Sequence, residues 1–138
     1  MLRVVIDANV WISAMLNPGK PLELIQKFRL KLFQVYYPEW LITELRKLPS
    51  RKKFKSKLTN EQVARFILLI KHKAILAKLD NVLTISRDPK DNPYLACAKA
   101  TACDFLISGD RDLLDLKHYG QTKIINTAEF LQILKQHL

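Results

Sequence analysis

Two short runs of wholly apolar residues constrain this chain more than any other feature. Val4, Val5 and Ile6 lie near the start, and Phe105, Leu106 and Ile107 lie far along the chain. Neither run alternates with polar residues. Each therefore reads as a strand covered on both faces, the pattern of a parallel sheet between helices. Helical periodicity fills most of the sequence between them. Buried strands alternating with amphipathic helices have few solutions, and the expected fold class is α/β, a three-layer α/β/α sandwich with a mainly parallel central sheet.

The punctuation supports that reading. The first strand spans Leu2–Asp7, and a helix follows from about Asn9. Asn17-Pro18-Gly19-Lys20 breaks the chain, and Pro21 opens a helix with Ile25, Phe28 and Leu32 on one side. Phe33–Tyr36 reads as a second strand. Pro38 then starts a helix with Leu41, Leu45 and Leu48 on one face, and Pro49 ends it. Thr59 to Gln62 matches a capping box ahead of Val63, Phe66, Ile67 and Ile70. Between Ala74 and Ser86 the pattern predicts a short helix and then a strand at Val82–Ile85. Asp91-Asn92-Pro93 starts a helix running through Ala96, Ala98, Ala100 and Ala102, and a short helix follows Asp110. Lys123–Ile125 is the last expected strand, and Thr127 is expected to cap a terminal helix carrying Phe130, Leu131 and Leu134. No linker interrupts the pattern, so residues 1–138 are expected to form one domain.

A domain of this length buries about 68–70% of its unfolded surface, so its core needs no staples. The two cysteines, Cys97 and Cys103, are too few for a disulfide scaffold. They read as buried free thiols, which fits a reducing, cytoplasmic setting. No apolar run is long enough to span a bilayer, and MLRVVIDANV lacks the long apolar core of a signal peptide. No membrane partner is expected. The net charge of +10, from 23 basic and 13 acidic residues, favours polyanionic partners such as nucleic acid.

The acids fall at telling places. Asp7 directly follows VVI, and Asp110 follows FLISG. Ligand sites of parallel α/β sheets form outside the carboxyl ends of the strands, so these two acids are placed to meet. A carboxylate straight after a buried strand is costly unless paired or bound to a cation. Asp91 stands at a helix start, where the exposed N–H groups and the dipole explain an acid equally well. Glu44 flanks the 41/45/48 stripe and, alone, reads as a surface glutamate pairing with Arg46 or Lys47. Glu39, at the start of the same helix, is explained by the dipole. Gathered together, carboxylates repel and raise one another's pKa values. With Mg²⁺ or Mn²⁺ the same cluster becomes a hard oxygen site that can act on a phosphodiester. Such chemistry needs no histidine, and His72, His118 and His137 match no ligand spacing.

The motifs in series resemble the PIN-domain family, and within it the prokaryotic proteins described as toxin components of toxin–antitoxin pairs. VVIDANVWISAML resembles the opening block, with Asp7 as first acid and Asn9 as its companion. PEWLITELRKLPSRKKF resembles the helix that supplies a second acid, here Glu44. DPKDNPYLACAKATACDFLISGD resembles the third and fourth blocks, with Asp91 opening a helix and Asp110 closing a strand. The resemblance implies a metal-dependent endoribonuclease in which Asp7, Glu44, Asp91 and Asp110 hold Mg²⁺ or Mn²⁺ and carry catalysis. It implies that Ser108 helps order a water or a phosphate, with Asp88 and Asp112 as lower-ranked additional acids. It also implies an RNA substrate, a cognate antitoxin protein as partner, and a homodimer or higher oligomer.

Arg46, Lys47, Arg51, Lys52, Lys53, Lys55 and Lys57 crowd into residues 46–57 with no acid among them and Phe54 interleaved. This segment reads either as a solvated loop or as an RNA-binding arm, expected at the rim of the acidic site. Another class of function competes with the nuclease: a non-catalytic RNA-binding or interaction module on the same fold, for which loss of one or more acids would be expected. A dehalogenase-type phosphatase would want D-x-D after its first strand, where this chain has Asp7-Ala8-Asn9.

Overall fold

The first apolar run becomes β1 (Arg3–Ile6), an interior strand in a computed structural model that describes residues 1–79 and 92–138. On one side β1 pairs in parallel with β2 (Gln34–Pro38), Val4 opposite Val35. On the other it pairs in parallel with β4 (Phe105–Ile107), Val5 opposite Leu106. β3 (Ile75–Ala77) adds in parallel beyond β2. β6 (Thr122–Ile125) adds in parallel beyond β4, and β5 (His118–Tyr119) closes that edge antiparallel. The order among the described residues is β3-β2-β1-β4-β6-β5.

The helices are α1 (Ala8–Leu16), α2 (Lys20–Arg29), α3 (Glu39–Lys47), α4 (Asn60–Lys73), α5 (Pro93–Thr101), α6 (Arg111–Leu116) and α7 (Thr127–His137). They flank the mainly parallel sheet, as the apolar runs require. From β1 the chain steps outward to β2 and β3 by way of α1 to α4. It then returns past β1 to β4 by way of α5, so right-handed crossovers place α5 on the opposite face. Covered on both faces, Val4, Val5, Leu106 and Ile107 are fully buried. On one side an aromatic chain joins the layers: Trp11 meets Phe28 edge-on at 5.7 Å, Phe33 meets Phe130 at 5.0 Å, and Phe105 meets Phe130 at 5.8 Å. Cys97 and Cys103 are buried and unbridged.

Several local expectations change. α2 stops at Arg29, short of Leu32, because Lys31 turns left-handed at φ 58°. α5 ends at Thr101, and Ala102 takes the left-handed cap at φ 50°. After Ala74 the chain first enters β3, a strand the sequence pattern does not predict there. That strand is held by pairing with β2, Tyr37 opposite Leu76, a non-local contact that overrides local pattern. The strand expected at Val82–Ile85 lies outside the described residues. The cap of α7 is Asn126 and not Thr127. Asn126 accepts from the Glu129 N–H at 2.8 Å, and the Glu129 carboxylate accepts from the Asn126 N–H at 3.2 Å. This reciprocal box matches the one that forms at Thr59 and Gln62.

Replacing Asn126 with Ala should lower the unfolding free energy by about 1 kcal/mol, whereas Gly should cost only a few tenths. Urea denaturation of the two variants measures this, and equal losses would show that the side chain acts otherwise than as a cap.

Candidate active site

The strand order places a topological switch point between β1 and β4, where connections leave in opposite directions and the crevice at the carboxyl ends opens. Asp7 emerges there from β1 and Ser108 from β4. The Asp7 N–H continues the ladder to the Ile107 carbonyl at 3.0 Å. The Ser108 hydroxyl, fully buried, donates to Asp7 Oδ2 at 2.7 Å and accepts from the Asp110 N–H at 3.0 Å. One hydroxyl thus ties the first acid to the backbone of the last, ordering the carboxylate directly.

Each acid also ends a strand and begins a helix. Asp7 caps α1, its Oδ1 accepting weakly from the Asn9 N–H at 3.4 Å. Asp110 caps α6, its Oδ1 accepting from the Asp112 N–H at 2.9 Å. Capping alone would leave either side chain at the surface. Asp110 is half-buried, but Asp7 is only 6% exposed. Among the described residues Asp7 has no ion-pair partner. Burial pushes its carboxyl above the ordinary value, and the charge of Asp110 adds to this, while the hydrogen bonds from Ser108 and Asn9 pull the other way.

Glu44 projects from α3 and is half-buried. Its partner is Arg51 at 3.2 Å, rather than Arg46 or Lys47, which are exposed and unpaired among the described residues. Arg51 belongs to the basic segment, which folds as successive turns: the Phe54 N–H bonds to the Arg51 carbonyl at 2.9 Å and the Leu58 N–H to the Phe54 carbonyl at 2.9 Å. Phe54 packs on the core and Leu58 is buried, so Lys52, Lys53, Lys55 and Lys57 stay exposed around that anchor. Arg51 is the member that reaches the acidic side. Glu39 is exposed in the first turn of α3, and Asp112 is exposed in that of α6. Asp88 and Asp91 lie outside the described residues. Asn92, which follows Asp91, caps α5 by accepting from the Tyr94 N–H at 2.7 Å.

Two further features were not read from the sequence. An open cleft of about 420 Å³ adjoins Asp110 and is lined by Asn9, Val10, Ser13, Pro21, Gly109 and Thr127. Asp7 is not part of its wall. The other feature is Tyr94, in the first turn of α5. It is 4% exposed, and its hydroxyl has no hydrogen-bond partner among the described residues. Burial raises its pKa, and the charges of Asp7 and then Glu44 raise it further, so it stands within the field of both acids. A tyrosine in an otherwise Ala-, Leu- and Cys-rich stretch is the one signal that marked it.

Among the described residues no three His, Cys, Asp or Glu side chains stand together as a metal-binding group. The pair of acids nonetheless suits a hard cation. Asp7 is a buried carboxylate without a compensating charge among the described residues, and its charge acts on the orphaned Tyr94 hydroxyl. Oxygen donors of this kind are what Mg²⁺ and Mn²⁺ prefer.

A family model described as "PIN domain" matches residues 3–112. An uncharacterized protein, MJ1680 of Methanocaldococcus jannaschii, is 28% identical over 130 residues, covering 91% of this chain and 81% of the relative. A solved structure of FitAB bound to an IR36 DNA fragment contains a chain that superposes with a TM-score of 0.57. The match has 18% identity and covers 90% of this chain and 94% of that one, a likeness of fold. No helix among the described residues is long and apolar enough to cross a membrane.

The raised pKa of Asp7 has a signed consequence. A carboxyl whose folded value exceeds its unfolded one binds more protons in the fold, so stability falls as pH rises through that interval. Below the ordinary value of 3.8 both states are protonated and the effect is absent. Asp7→Asn keeps an acceptor for Ser108 and removes the charge. In EDTA it should melt higher than wild type at neutral pH, with the advantage vanishing once the pH drops below 3.8. Thermal melts across that range check this, and a variant less stable at neutral pH would contradict it.

Proposed function

The chain belongs to the PIN domain family, and on that premise we propose that it is a metal-dependent endoribonuclease that hydrolyses RNA phosphodiester bonds. The observation that carries this reading is the buried Asp7 carboxylate, tied through Ser108 to Asp110 at the switch point of the sheet. Nuclease activity is general among PIN domains, and the charge of +10 suits a polyanionic substrate.

In this reading Asp7, Glu44, Asp91 and Asp110 would hold Mg²⁺ or Mn²⁺. The cation, when bound, supplies charge stabilisation at the phosphodiester and lowers the pKa of water. The protein's own part is placement. Ser108 holds the Asp7 carboxylate in one orientation, so no reorganisation is needed when charge develops. Asp110 has its backbone fixed by the same hydroxyl, and its Oδ1 is oriented by the Asp112 N–H. Asn9 lines the cleft beside Asp110, where a substrate strand has room to lie. Asp88 and Asp112 are auxiliary acids in this proposal. Arg46, Lys47, Arg51, Lys52, Lys53, Lys55 and Lys57 attract the RNA backbone.

The biological setting we propose is the toxin of a toxin–antitoxin pair, acting as a homodimer or higher oligomer with a cognate antitoxin protein. The FitAB complex on DNA is the comparison that supports a partnered assembly. One observation favours the alternative of a non-catalytic RNA-binding module: Glu44 is occupied by Arg51. Exposed ion pairs of this kind contribute only about 0–1 kcal/mol, which a divalent cation can displace.

The purified protein is expected to cleave RNA with Mn²⁺ or Mg²⁺ and to stop in EDTA. Asp7→Asn and Asp110→Asn should each lower the rate roughly a hundredfold or more, equivalent to about 3 kcal/mol of barrier. Variants that cleave as well as wild type would assign the activity to a contaminant. Separately, changing Lys52, Lys53 and Lys55 to Ala should flatten the plot of log K against log salt by about 2, from about 0.7 for each phosphate contact on single strands. An unchanged slope would leave these lysines a solubilising role alone.

A further inference from the structure

Tyr94 is the buried group that the acidic constellation does not account for. Asn92 pins its backbone at the start of α5, and Pro93 sets the first turn. α5 packs across β1 and β2, the strands that deliver Asp7 and lead into the Glu44 helix. The ring is enclosed at 4% exposure, yet the hydroxyl meets no hydrogen-bond partner among the described residues. Buried hydroxyls almost always have a partner, either protein or ordered water. A phenylalanine would fill the same space at lower cost, so the oxygen calls for a partner of its own.

The surroundings narrow what that partner is. α5 leads into β4, parallel to β1, so its first turn lies at the carboxyl edge of the sheet where Asp7 emerges. Burial, and then the charges of Asp7 and Glu44, raise the pKa of the hydroxyl. The group is an O–H with lone pairs to receive a hydrogen bond. A small hard cation such as Mg²⁺ dehydrates reluctantly and usually keeps several waters, and those waters are strong donors in need of acceptors. We propose that Tyr94 is a positioning residue of the acidic site: its oxygen accepts a hydrogen bond from a water of the bound cation's hydration shell. The inference rests on the metal-dependent reading above and deepens it. Partners one step removed from a metal typically change its affinity 10- to 100-fold, roughly.

Tyr94→Phe removes the hydroxyl and nothing else. Two measurements on the full chain decide the matter: Mn²⁺ affinity by calorimetry, and the melting temperature in EDTA. The variant should bind Mn²⁺ about tenfold or more weakly, yet melt at or above the wild-type temperature in EDTA, because an unpartnered buried oxygen is gone. A merely structural tyrosine would move the melting temperature and leave Mn²⁺ affinity unchanged. Wild type and variant binding Mn²⁺ equally overturns the role of Tyr94 while leaving the metal site intact. A wild type that binds no Mn²⁺ overturns both. A variant that melts lower in EDTA also overturns the proposal, since the hydroxyl would then have its partner within the protein.

Discussion

The parallel pairing of β1 with β4 is the contact on which the rest of the molecule depends. It sets Val5 against Leu106 in the core and carries the Asp7 N–H to the Ile107 carbonyl at the edge. One residue further along β4, the Ser108 hydroxyl meets the Asp7 carboxylate. Sheet register and site geometry are therefore one constraint. A slip of one residue would turn Ser108 to the other face, and the acid would be buried without its hydroxyl donor.

The acids at the strand ends were legible because their placement is a local fact: VVI runs into Asp7, and FLISG runs into Asp110. The buried strands, and with them the parallel sheet, were legible for the same reason. What escaped depends on contacts between distant elements. β3 is a strand because β2 lies beside it, and β5 spans two residues. Asn126 and Thr127 are both good caps by type, and only the geometry at Glu129 decides between them. Glu44 was expected to pair with its helical neighbours, but the turn at Leu48–Ser50 swings Arg51 back instead. Tyr94 sits in a helix whose composition reads as core, and burial hides the fact that its oxygen has no partner.

The electrostatic design is one of opposed scales. At long range the surplus of cations makes the surface attractive to polyanions, an effect that salt screens beyond about 10 Å. At short range the buried Asp7, with the charge of Asp110 acting on it, forms a small acidic interior where screening is weak. Arg51 is the hinge between the two regimes, part of the basic segment yet in contact with Glu44. A phosphate backbone would be drawn by the outer field and then meet an inner one of the opposite preference. The chain's own charges bring such a substrate close without favouring its final approach, and a cation between them reconciles the two.

The connection between Asp7 and Ser108 also has a consequence in time. On a ribosome, β1 emerges before its two neighbours, and β2 can join it early. Its other neighbour, β4, is made only after α4 and α5 have been synthesised. Until then one edge of β1 stays open, and Asp7 lacks the hydroxyl that orders it. Closing so long a loop is slow relative to local helix formation. The nascent chain therefore carries Asp7 without an assembled site until β4 has emerged.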